Sequence, residues 1–168
     1  MPLTEAARWV LAGLLTATLV WASVSDVRAR RIPNWSVLAT IGLFLPWAAL
    51  GPLGAVPGAL AACAIALAGT FVLYLFGIVG AGDSKLFAAV ALFAGLGHLG
   101  LLAVLTALSG GLVAVVSLAA RPYRAMTMMT LRGKGDFGRG VPYGVAIGMA
   151  ALVVVWAPLL HMPLPTVL

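Results

Sequence analysis

Apolar residues in this chain run in blocks, separated by short polar stretches. The first block, Trp9 to Val24, reaches spanning length once Ala6, Ala7 and a snorkelling Arg8 are added. More apolar blocks follow it and no small-x-small cleavage site ends it, so it reads as a retained helix and not as a signal peptide. Ser25 to Asn34 is the first polar loop. Pro33 stops a helix there, and Asn34 is placed to cap the next one, expected over Trp35 to Leu50. A Gly- and Pro-rich turn, Gly51 to Pro57, leads into a third helix over Gly58 to Val79.

The polar loop Gly80 to Lys85 comes next. The apolar stretch Leu86 to Ala120 is too long for one span, and Gly95, Gly97, His98 and Gly100 offer a break. A short fourth helix is therefore expected over Ser84 to Leu96 and a fifth over Leu99 to Ala120. Arg121 to Gly140 is the longest polar stretch. It is basic and carries Met126, Met128 and Met129, a composition that lies along a membrane surface. Val141 to Leu160 forms a sixth helix, with Trp156 as an interface anchor, before a short tail. The pattern predicts an all-α polytopic membrane protein: one domain over residues 1–168, a bundle of six transmembrane helices.

Composition supports lipid as the solvent. The chain is 63% hydrophobic and 8% charged, against about 25% charged residues in soluble domains. The net charge of +6 does not call for nucleic acid. With six spans, loops 25–34, 80–85 and 121–140 share one side and hold every basic residue except Arg8. The positive-inside rule makes that side cytoplasmic and leaves both termini outside. Cys63 stands alone, and no histidine pair has metal-ligand spacing, so neither a disulfide framework nor a metal is expected, and no cofactor.

Only four residues are acidic: Glu5, Asp26, Asp83 and Asp136. Asp26 and Asp83 stand where apolar blocks meet polar loops, and acids at membrane depth are costly enough to count as functional candidates. The six-span topology puts both at the cytoplasmic edge, at similar depth. Two carboxylates there can share a water: one, protonated, polarises a peptide carbonyl, while the other takes a proton from the water. Each also has a structural reading. Asp83 could cap the fourth helix, and Asp26 could pair with Arg30 one helical turn on. Asp136 and Glu5 read as solvated, and His98 and His161 as polar loop residues. Gly144 and Gly148 form a G-x-x-x-G pair suited to close helix packing. Ser23, Ser25 and Ser84 have no evident base, and Gly80-Ala81-Gly82 is too short for a phosphate loop. A proton-coupled transporter using the same acids, or an assembly component whose acids only cap and pair, are the competing classes.

Three segments resemble the prepilin (type IV leader) peptidases, membrane aspartic proteases of the G-x-G-D kind. They are Asp26 to Asn34, with Ile32-Pro33-Asn34 closing a basic stretch; Gly80-Ala81-Gly82-Asp83-Ser84-Lys85-Leu86; and Val141-Pro142-Tyr143-Gly144. The resemblance implies catalytic Asp26 and Asp83. It implies that Gly80 and Gly82 let the backbone approach an extended substrate, that Lys85 belongs to the motif, and that Pro142, Tyr143 and Gly144 line the site. The implied substrate is a prepilin or pseudopilin, cleaved after its basic leader on the inner face of the cytoplasmic membrane, usually after glycine. Larger members carry a cysteine-bearing N-terminal domain linked to zinc and N-methylation. This chain has no paired cysteines and resembles the short peptidases of Flp-type pili, with the archaeal preflagellin peptidases as an alternative.

Overall fold

The computed structural model describes residues 3–119 and 143–165. The basic segment expected along the membrane surface, with Asp136, and Pro142 both lie outside the described residues. The helices are α1 (Leu3–Ala29), α2 (Asn34–Ala49), α3 (Val56–Leu75), α4 (Ala81–Ala119) and α5 (Tyr143–Leu159), with a 3-10 turn at Leu53–Ala55. Leu3–Ala29, Leu53–Leu75 and Ala81–Ala119 are long and apolar enough to cross a membrane, and α2 and α5 are shorter apolar helices. The all-α expectation holds, and the molecule has the character of a membrane protein.

Helix α4 is two arms, 81–94 and 96–119, hinged at Gly95 (φ 62°, ψ 179°). That backbone geometry is open essentially to glycine alone. The break expected over Gly95 to Gly100 is thus one residue wide. Gly97 and Gly100 stay helical, because glycine permits a break without requiring one, and His98 sits inside the helix and not in a loop.

Helix α1 outlasts its expected end. Nothing in Ser25 to Ala29 stops a helix, so Asp26 lies inside its last turns. Arg30 ends it in the left-handed region (φ 53°), its N–H donating to the Asp26 carbonyl at 2.9 Å. Glycine is the usual residue there, so the turn is strained by about 1–2 kcal/mol. Asn34 is not the cap of α2. Extended Pro33 precedes the helix with no side-chain cap, and Ser36 Oγ donates to its carbonyl at 2.7 Å. Helix α3 stops at Leu75, four residues short of expectation. Gly77 (φ 71°) closes it with paired bonds, Ile78 N–H to Leu73 O and Gly77 N–H to Tyr74 O.

The first arm of α4 is the hub. Leu86, Phe87, Ala88, Ala89, Val90, Ala91 and Leu92 are buried in succession, a run too continuous for a helix with one lipid face. Helix α4 as a whole packs against α2, α3 and α5, while α1 lies between α2 and α5. Helix α3, docked on α4, turns Leu60, Ile65, Phe71 and Leu75 outward, as a lipid-bathed surface requires. Trp156 was expected as an interface anchor. It joins helices instead: its Nε1 donates to Thr16 Oγ1 at 2.9 Å and its ring meets Trp9 edge-on at 5.4 Å. Arg8 donates to the carbonyl of Leu50 at 2.9 Å over the Trp47 ring, placing a cation at the negative end of α2.

Candidate active site

Asp26 is 7% exposed, and a carboxyl so buried needs donors. One comes from α5. The first N–H groups of a helix have no partner within it, and that of Gly144 donates to Asp26 Oδ2 at 2.8 Å. A larger residue there would press on Asp26. A Cβ on residue 144 would stand 3.0 Å from Asp26 Oδ2 and 3.1 Å from Asp26 Cβ. The approach is held from both sides, since Ser23 Oγ donates to the Gly144 carbonyl at 3.2 Å. The Arg30 charge also acts on Asp26, from a residue that stands just past the end of α1.

Asp83 is the third residue of α4 and is half-buried. Its side chain folds back to the Gly80 backbone, an arrangement that satisfies a free N–H at a helix start. A Cβ on Gly80 would lie 2.8 Å from Asp83 Oδ2, so a side chain at residue 80 would push the Asp83 carboxylate out of this fold-back. The other oxygen, Oδ1, is buried with no hydrogen-bond partner among the described residues. Ser84 fastens this turn, its Oγ within 3.2 Å of the Thr70 and Gly80 carbonyls. Asp83 therefore does cap its helix, yet capping leaves one oxygen free.

The two aspartates converge at one end of the bundle. The Asp26 charge reaches Asp83, and a single side chain links their surroundings. Ile32 lies with Cβ 3.2 Å from the Cβ position of Gly82 and Cδ1 3.2 Å from that of Gly144. Of the other expected site residues, Lys85 is exposed. Tyr143 does not join the aspartates, because its ring lies against Gly110 on the second arm of α4, 3.3 Å from that residue's Cβ position. Ile32 stands inside the Asp26 to Asn34 motif, where the resemblance implies no role for it. The Ile-Pro pair after a basic loop was the available signal. The resemblance also leaves the Gly144 amide unassigned, since no pattern marks which backbone N–H will meet a distant carboxylate.

Buried Asp26 and half-buried Asp83, with one oxygen held by the Gly144 amide and another without a partner among the described residues, are suited to exchanging protons with a water or a peptide. No match to this chain was found among curated proteins or among solved structures. The model of the type IV leader peptidase family matches residues 13–118, a stretch that includes Asp26, Ile32, Gly80, Gly82 and Asp83 and ends before Gly144. With that match spanning most of its length and the paired aspartates inside it, the chain belongs to the type IV leader peptidase family.

Proposed function

We propose that the protein is a membrane aspartic endopeptidase that removes the basic leader from type IV or Flp-like prepilins, with Asp26 and Asp83 activating a water between them. The observation that supports this reading is that the Gly82–Asp83 turn and the Gly144 amide that holds Asp26 both lie against Ile32, although the two aspartates come from separate helices. Close carboxylates resist double ionisation and share a proton. The ionised member draws a proton from water as it attacks the scissile carbonyl, and the protonated member stabilises the developing oxyanion and then supplies the leaving amine. Asp83 Oδ1, buried and without a hydrogen-bond partner among the described residues, is the acceptor such a water would use.

The positive-inside rule supports the cytoplasmic side for this chemistry, since Arg28, Arg30, Arg31 and Lys85 cluster at the aspartate end. A proton relay across the membrane would place its acids at mid-span, whereas Asp26 and Asp83 occupy terminal turns. The test is incubation of the purified, lipid-reconstituted protein with a panel of prepilins, read by mass. Wild type is expected to release the leader, with Asp26→Asn and Asp83→Asn each slower by about 10²–10⁴-fold. Cleavage by both variants at the wild-type rate would overturn the reading.

A further inference from the structure

We infer that Ile32 is a positioning residue for the aspartate pair: its side chain is the spacer that sets how far the Asp83 turn stands from Asp26. The inference rests on the peptidase reading above. Ile32 does not contact the carboxylates through any polar atom. It is wedged between the glycine preceding Asp83 and the glycine whose amide holds Asp26, with its Cβ toward Gly82 and its Cδ1 toward Gly144. A Cβ added at either glycine would stand 3.2 Å from Ile32, closer than ordinary van der Waals spacing, so a carbon added on either side must displace Ile32 or a backbone that carries the site, and a carbon removed from the middle leaves that spacing unsupported.

The backbone of Ile32 is clamped as well. The left-handed Arg30 reverses the chain out of α1, Ser25 Oγ donates to the Arg31 carbonyl at 2.9 Å, and Pro33 fixes the next φ at −65°. Ile32 also packs against the buried core. A spacer must be stiff, and a β-branched side chain on an anchored turn has little rotamer freedom. Placement of reacting groups tolerates little error, with a shift of about 1 Å able to cost roughly 10²-fold in rate.

The test measures kcat and KM on a cleaved prepilin for Ile32→Val, Ile32→Ala, Gly82→Ala, Gly144→Ala and the doubles, each first shown to insert and elute as wild type. Ile32→Ala is expected to lose about 10–100-fold in kcat with KM little changed, and Ile32→Val about 2–5-fold. Gly82→Ala is expected to lose kcat similarly. The double Ile32→Ala/Gly82→Ala should recover part of that loss, because the new methyl takes over some of the vacated space. Ile32→Ala should not rescue Gly144→Ala, whose methyl still meets Asp26 itself. Wild-type kcat in Ile32→Ala, or strictly additive losses in the Gly82 double, would overturn the spacer role while leaving the peptidase reading intact. If Ile32→Ala fails to insert, Ile32→Val alone decides, and an unchanged kcat there is equally fatal. A wild-type protein that cleaves no prepilin removes the peptidase reading and the spacer role together.

Discussion

At Gly144 a backbone N–H and a missing side chain act on one carboxylate. The N–H holds Asp26 Oδ2, and the absent Cβ leaves room for it. Gly148, one turn on, faces α1 too, but what it would meet is the Ser23 hydroxyl at 2.9 Å, which can swing away at the cost of its 3.2 Å bond to the Gly144 carbonyl while the amide contact to Asp26 stays. The pair separates packing from positioning. Gly144→Ala is expected to lower kcat about 10²-fold, and Gly148→Ala only a few-fold, in the same prepilin cleavage assay. Equal effects would mean that both glycines serve helix packing alone. At this scale the sequence exposes what is expensive. Two of four acids at the edges of apolar blocks stand out because burial of charge is costly. The motif puts Gly144 at the site but hides what its amide does, because its partner is distant in sequence and the bond forms only after α1 and α5 pack. Tyr143 misled for the same reason: adjacency in a motif did not place its ring on the aspartates.

Among the elements, α4 shows how one residue can shape a helix. Gly95 adopts a geometry closed to other side chains, while Gly97 remains helical with open space around its Cβ position. Gly95→Ala is therefore expected to cost about 1–3 kcal/mol of stability. Gly97→Ala is expected to be neutral or to gain up to about 1 kcal/mol. Unfolding in mixed micelles measures both, and a Gly95→Ala protein as stable as wild type would show that the hinge relaxes into a straight helix. The helical blocks were legible because apolar runs bounded by Gly and Pro are strong signals. Their ends were not. Ser25 to Ala29 look like a loop by polarity but carry no helix breaker, so α1 continues through Asp26. Gly77, inside an apolar run, ends α3 early through its positive φ.

For the whole molecule, the exposed apolar surface of α3 and the buried first arm of α4 fit a bundle bathed in lipid around one central helix. The ends of α2 offer a check on orientation. Arg31 and Leu53 are both exposed and flank opposite ends of that helix. In a Cys63→Ser background, a membrane-impermeant thiol reagent applied outside intact cells is expected to label Leu53→Cys. It should reach Arg31→Cys only after permeabilisation. The reverse pattern would put the aspartates outside and invert the topology drawn from the basic residues.

The amide that fixes Asp26 comes from residue 144, at the start of α5 and 118 residues further along the chain. During synthesis both carboxylates therefore emerge well before that N–H is made. A nascent chain that stops short of α5 would hold the two acids without the donor that fixes Asp26, so in the proposed peptidase the pair takes its working geometry only once α5 has packed against α1.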